Sequence, residues 1–204
     1  MEITYLPVGP IETNCYILCD ETAKVCAVID PGDEAERIAS AVERTGCAPC
    51  AILLTHGHYD HTGAVAELTA RWGGIPVYLS RRDTAVGGCD PRIFPPVPGT
   101  RDYDEGDTVS VGGLTVEILA TPGHSRGSVT LRCGYALFCG DTLFAGSCGR
   151  TDLQGGSMEE MLASLRRLGK LPGNYQVLPG HMDLSDLDRE RAWNPYLRQA
   201  LRED

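Results

Sequence analysis

Thr55-His56-Gly57-His58-Tyr59-Asp60-His61 holds three of the chain's five histidines and an aspartate within seven residues. The apolar run Ala51 to Leu54 just before it reads as a short buried strand, and Thr62 to Trp72 just after it as a helix. If His56 to His58 continue the extended path of that strand, alternate residues point the same way and the two rings converge on one metal ion. Asp60 and His61 then open the helix and face a second ion. A helix N-terminus keeps a carboxylate ionised and an imidazole neutral, the forms that metals bind. Gly57 and Gly63 permit tight backbone paths around these residues.

The two remaining histidines repeat one pattern. His124 follows Thr121-Pro122-Gly123 at the end of the strand Leu114 to Leu119, and His181 follows Pro179-Gly180 at the end of Val177-Leu178. Asp141 follows Gly140 at the end of the strand Tyr135 to Cys139. A single histidine of this kind is more often structural than a ligand. Strand ends that converge on one rim of a sheet sandwich, however, would bring five histidines and two aspartates into one cleft. Imidazoles and carboxylates without a cysteine suit zinc, with iron or manganese as alternatives.

Farther out, Cys15 to Leu18 and Val25 to Ile29 read as a hairpin, which Asp30-Pro31-Gly32 stops. Glu34 to Arg44 has helical periodicity and ends at Gly46, and Val77 to Leu79 is a strand. The proline-rich stretch Gly87 to Thr100 is a long loop. Two further hairpins pair Val109–Val111 with Leu114–Leu119, across Gly112-Gly113, and Val129–Leu131 with Tyr135–Cys139. Ser157 opens a helix, and Leu184 to Leu201 is helical with a break or restart at Pro195. The chain reads as a mixed α/β protein.

Its 204 residues fit one domain, 1–204, with core enough to fold without metal or disulfide. Eighteen basic against 28 acidic residues give a net charge of -10, which excludes nucleic acid and anionic membranes as expected partners. Only Lys24 and Lys170 are lysines, so anion recognition falls to arginines. The start MEITYLPVGP has neither a basic region nor a long apolar run, and no stretch approaches the ~20 apolar residues of a membrane span. Nine cysteines, an odd number lying mostly in apolar runs, read as reduced packing residues, so the expected location is the cytoplasm. Cys47-Ala48-Pro49-Cys50 has redox spacing, but it abuts a buried strand and no second pair completes a zinc site.

With these residues in view, the chain resembles the metallo-β-lactamase-fold hydrolases, and among them the short glyoxalase II-like (hydroxyacylglutathione hydrolase-like) proteins. PIETNCY (10–16), VIDPG (28–32), LTHGHYDHTG (54–63), TPGHSRGS (121–128), GDTLFAGSCGRTD (140–152), PGH (179–181) and ERAWNPYL (190–197) occur in the family's order. The resemblance implies a four-layer αββα sandwich with two metal ions between the sheets. Carried over by position, His56, His58 and His124 hold the first ion, Asp60, His61 and His181 the second, and Asp141 bridges them. Asp30 supports the site from behind the ligands, and Arg150 matches a basic residue that helps hold glutathione. Read from the residues alone, Arg150 can equally pair with Asp152. Arg126 stands where proline is frequent, and Met182 where glycine is frequent. Only 23 residues follow His181, so the C-terminal glutathione-binding helical domain of full-length relatives is not expected.

Two divalent ions less Asp60, Asp141 and a bridging hydroxide leave roughly +1, enough to bring water's pKa to ~7 or below. The expected reaction is thioester hydrolysis of S-D-lactoylglutathione or another acyl-thiol, because a thiolate leaves without a proton and all five histidines are already assigned to metal. A small-molecule substrate is the expected partner. Persulfide dioxygenases share the motifs and use a single iron at the first site, which is the alternative. A non-catalytic metal-binding protein is the third reading.

Overall fold

The computed structural model describes residues 1–202, apart from the side chain of Val86. Strands β1 (Glu2–Val8), β2 (Thr13–Asp20), β3 (Val25–Ile29), β4 (Ala48–Leu53), β5 (Val77–Tyr78) and β6 (Thr100–Arg101) form one six-stranded sheet in chain order. The first three are antiparallel, and β3 to β6 are parallel. The chain continues through β7 (Thr108–Val111), β8 (Leu114–Ala120), β9 (Val129–Cys133) and β10 (Ala136–Gly140). After the small hairpin β11 (Leu143–Phe144) and β12 (Ser147–Cys148) come β13 (Gln176–Pro179) and β14 (Ser185–Asp186). The second sheet has the order β14-β13-β10-β9-β8-β7.

Helices α1 (Ala35–Thr45), α2 (Tyr59–Thr62) and α3 (Val65–Arg71) belong to the first half, and α4 (Met158–Gly169), α5 (Leu187–Trp193) and α6 (Pro195–Arg202) to the second. Alternation along β2 shows how the layers stack. Cys15, Ile17 and Cys19 pack with Ile38 and Val42 of α1 and Leu68 of α3. Tyr16 and Leu18 face the other way, onto Ile118, Leu131 and Phe138 of the second sheet. A third core joins Leu137 and Val177 to Met161, Leu165 and Leu197 of the outer helices. Three apolar interfaces make four layers, αββα, and every residue of β2 is buried because both its faces are covered.

Most expected elements are present, with shifted ends. The helix expected over 62–72 is broken instead: α2 ends at Thr62 and α3 starts at Val65. The Ala64 N–H donates to Pro31 O at 3.0 Å, and a Cβ at Gly32 would lie 1.7 Å from Asp60 O, so the Asp30-Pro31-Gly32 turn nests into the break. The restart at Pro195 is a new helix. Asn194 Oδ1 accepts from the N–H groups of Tyr196 and Leu197, and proline takes the first helical position, where no N–H is needed. Cys47, just before β4, packs in the helix-facing core and Cys50, within β4, against the inter-sheet core, so the pair faces opposite sides of the sheet. No helix among the described residues is long and apolar enough to cross a membrane.

Candidate metal centre

In each sheet the strands that carry site residues run parallel. β3 and β4 are paired in parallel, as are β10 and β13, while β8 and β10 are both antiparallel to β9. Asp30 follows β3, His56 and His58 follow β4, and His124, Asp141 and His181 follow β8, β10 and β13, so all reach one rim. Backbone bonds sew the two sheets together there: Val129 N–H to Thr55 O at 2.9 Å, and Asn14 N–H to Gly180 O at 2.7 Å.

All five histidines meet on that rim. His56 Nε2 lies 3.0 Å and His124 Nε2 2.8 Å from His58 Nδ1, so three ring nitrogens converge on one point. A second group forms around His61 Nε2 and His181 Nε2, which stand 3.4 and 3.1 Å from Asp60 Oδ2. Asp141 lies between the groups, with Oδ1 3.4 Å from His61 Nε2 and Oδ2 3.3 Å from His124 Nε2 and 3.6 Å from His181 Nε2. His56, His58 and His124, and likewise Asp60, His61 and His181, each bring their donor atoms within 4.8 Å of one another.

The far side of most rings is anchored. His61 Nδ1 lies 3.0 Å from Asp30 Oδ2, His124 Nδ1 2.7 Å from Arg150 O, His181 Nδ1 3.2 Å from Ile11 O, and His56 Nδ1 3.2 Å from Thr55 Oγ1. Such contacts fix which nitrogen faces inward. The Arg150 guanidinium, by contrast, forks onto Asp152 with both bonds at 2.7 Å.

A metal fits this donor set. Buried His61 Nε2 and Asp141 Oδ1 find no hydrogen-bond partner, an arrangement costly for polar atoms unless a cation joins them. A Cβ at Gly180 would lie 2.3 Å from Asp141 Oδ1, so glycine there keeps the pair's space open. Burial and neighbouring imidazoles hold the His56 pKa well below its usual range and bring His58 to about 3. Burial alone would raise the aspartates, but His61 and His181 keep Asp60 and Asp141 below the ordinary carboxylate range.

Such a rim of imidazoles and carboxylates between two sheets has a family counterpart. Residues 8–181 match the metallo-beta-lactamase superfamily model. The chain belongs to the metallo-beta-lactamase superfamily. The His/Asp cluster is the metal-binding cluster of that fold, and the protein is a member of a metallo-hydrolase superfamily.

Within the superfamily, the chain is 39% identical to a probable metallo-hydrolase, YqgX, of Bacillus subtilis, over 94% of this chain and 95% of that one. It is 42% identical to a hydroxyacylglutathione hydrolase of Gloeobacter violaceus, over 81% of this chain but only 62% of that protein. Among solved structures it is similar to the B3 metallo-beta-lactamase BLEG-1 (35% identical, TM-score 0.88, covering 96% and 99% of the two chains). ETHE1 from Myxococcus xanthus is also similar (29%, TM-score 0.84, 96% and 84%), as is TTHA1623 in a di-iron-bound form (38%, TM-score 0.79, 95% and 99%).

Three contacts at the site carry no signal in the histidine spacing. Thr13 Oγ1 donates to Asp60 Oδ2 at 3.3 Å, Ile11 supplies the carbonyl beside His181, and the Phe94 ring packs 4.5 Å from the His58 ring. Thr13 and Ile11 lie in PIETNCY, whose place in the family pattern was their only sequence mark. A hollow of about 280 Å³ bounded by Ile11, Thr13, Tyr59 and Asp60 opens beside the cluster. The larger cavity, about 560 Å³ beneath the proline-rich loop, has Phe94 in its wall but no residue of the His/Asp cluster.

Proposed function

We propose that the protein is a thioesterase of glyoxalase II type, in which His56, His58 and His124 hold one divalent ion, Asp60, His61 and His181 a second, and Asp141 bridges both. Zinc is the proposed metal, and the di-iron likeness keeps iron as its rival. When bound, such a pair lowers the pKa of water to ~7 and polarises a carbonyl. The observation that carries the choice of a thioester is that all five histidines are engaged in the cluster. None remains to protonate a leaving group, and a thiolate needs no proton to depart. The likeness to a hydroxyacylglutathione hydrolase supports the same reading.

Asp30 and the backbone carbonyls of Arg150 and Ile11 orient the rings. Ile11, Tyr59 and Met182 are 48%, 56% and 58% exposed beside the ligands and form an apolar rim suited to the acyl part of a small molecule. The test is thiol release from acyl thioesters of glutathione and of uncharged thiols by zinc-loaded protein, against His56→Ala. We expect hydrolysis by the wild type and a loss of at least 100-fold in the variant, with its circular dichroism unchanged. The absence of thiol release from every thioester overturns the reading. A persulfide dioxygenase with one iron at the first site is the second reading, favoured by the ETHE1 likeness. Oxygen uptake with glutathione persulfide by iron-loaded protein would decide for it.

A further inference from the structure

Asp83 lies in the turn after β5, away from every sequence motif of the site, and is 2% exposed. Its carboxylate receives three bonds from the two loops that carry the first histidine group. Gly57 N–H, between His56 and His58, donates to Oδ2 at 3.1 Å. Ser125 Oγ, next to His124, donates to Oδ2 at 2.5 Å, and Gly127 N–H donates to Oδ1 at 2.7 Å. One loop leaves the first sheet and the other the second, so this carboxylate spans the gap between them. The fit is close: a Cβ at Gly127 would lie 2.7 Å from Asp83 Cγ, and one at Gly57 would lie 2.6 Å from Asp83 O. Glycine at both positions is what lets the acid reach both backbones. Asp60, His61 and His181 receive no such contact; their anchors are Thr13, Asp30 and Ile11.

We infer that Asp83 is a positioning residue for the first metal site alone, clamping the His56–His58 loop to the His124 loop so that their three ring nitrogens hold one ion. The inference rests on the assignment of His56, His58 and His124 to a common ion. Partners that orient ligands in this way are worth about 10- to 100-fold in metal affinity. The Val129 N–H to Thr55 O bond keeps the loops joined when the clamp is cut, so the fold should persist.

The experiment is zinc titration of the full chain against a competing chelator, resolving two dissociation constants. Asp83→Asn should weaken one site by about 10- to 100-fold and leave the other within ~3-fold. Ser125→Ala, which removes one of the three bonds to Asp83 together with a 2.7 Å contact to Ser128 Oγ and leaves the charge in place, should weaken the same site by a smaller factor. In a His56→Ala background, where only the second site remains, Asp83→Asn should change nothing. Equal weakening of both sites, or a loss that persists in that background, overturns the inference, as does a neutral Ser125→Ala, which would point to charge alone. If Asp83→Asn does not fold, Ser125→Ala in the two backgrounds decides the matter. If His56→Ala still binds two zinc ions, the ligand assignment falls and the clamp with it.

Discussion

His61 and Asp30 face each other across 3.0 Å, Nδ1 to Oδ2, and this contact turns the other ring nitrogen toward Asp60 and Asp141. Asp30 is itself held by Thr55, whose N–H reaches Oδ1 at 2.7 Å and whose hydroxyl reaches Oδ2 at 2.6 Å. It adopts φ 51°, a left-handed conformation that aspartate and asparagine tolerate better than most residues. Asp30→Asn therefore keeps the backbone but turns an amide N–H₂ onto a donor. We expect second-site zinc affinity to fall by about 10- to 100-fold, and first-site affinity, which Asp30 reaches only through Thr55 and His56, to change less. Unaltered affinity at both sites in a chelator titration would show that His61 is oriented by other contacts.

Asp141 touches both histidine groups, so its loss should cost more than the loss of any one histidine. Its charge also offsets the repulsion between two cations held close together. Asp141→Ala should emerge from gel filtration with both sites depleted, measured as zinc per chain, whereas His124→Ala should keep the second ion. Two ions retained in Asp141→Ala would remove its bridging role.

Met182 adopts φ 69°, in the left-handed region that favours glycine. A side chain in that region costs about 1 kcal/mol, and Met182 is 58% exposed, so little packing offsets it. Its carbonyl accepts from Asn14 Nδ2 at 3.0 Å, a bond that the backbone keeps in any variant. Met182→Gly should raise the Tm by about 2–4 °C. An unchanged or lower Tm in thermal denaturation of metal-free protein would mean that the methionine's contacts outweigh the strain.

The histidines and aspartates that meet at the rim were legible because each sits in a local signal: H-x-H-x-D-H, or a histidine or aspartate directly after a glycine at a strand end. The layer order was legible only through family resemblance, since alternation marks a strand without saying which sheet it joins. What escaped reading depends on distant partners. The break between α2 and α3 is decided by Pro31 and Gly32, on the far side of α1 and β4 in the sequence, and Thr13 gains its role from Asp60. Strand β1 went unread because its exposed residues blur the alternation, and β6, β11, β12 and β14 are two residues each, too short for any period to register; β6 starts at Thr100, the end of the stretch read as a loop, and β14 lies inside the stretch 184–201 read as helix.

Protons compete unequally for the two metal sites. Burial alone would lower His61, but Asp30 and Asp141 raise its pKa well above the usual range, and Asp60 raises His181 in the same way. His56 and His58 are shifted down. A raised pKa means that the proton is bound at higher pH, so metal must displace it there. Second-site affinity should therefore fall more steeply than first-site affinity as pH drops toward and below the ordinary histidine range, by about ten-fold per pH unit for each proton that metal must displace. In metal-free protein the same shift in His61 stabilises the fold below the ordinary histidine pKa, and that contribution is lost as pH rises through its folded value. Parallel pH slopes for the two zinc dissociation constants would contradict the unequal competition.

Arg150 combines two contacts that substitution can separate. Its backbone carbonyl lies 2.7 Å from His124 Nδ1, and any residue would keep that; its guanidinium, 60% exposed, is forked onto Asp152. Planar, permanently charged and next to the cleft, the guanidinium is suited to a carboxylate on the thiol part of a substrate, for which it would exchange Asp152. The contact would lie far from the scissile bond, and solvent screens an exposed pair. Arg150→Ala should accordingly raise KM for a glutathione thioester by about ten-fold and alter kcat less. Asp152→Ala, which frees the guanidinium, should not raise KM. The decisive comparison is a thioester of an uncharged thiol: Arg150→Ala should leave its KM unchanged, and an equal loss on both substrates would mean that Arg150 braces the loop through Asp152 and does not read the thiol.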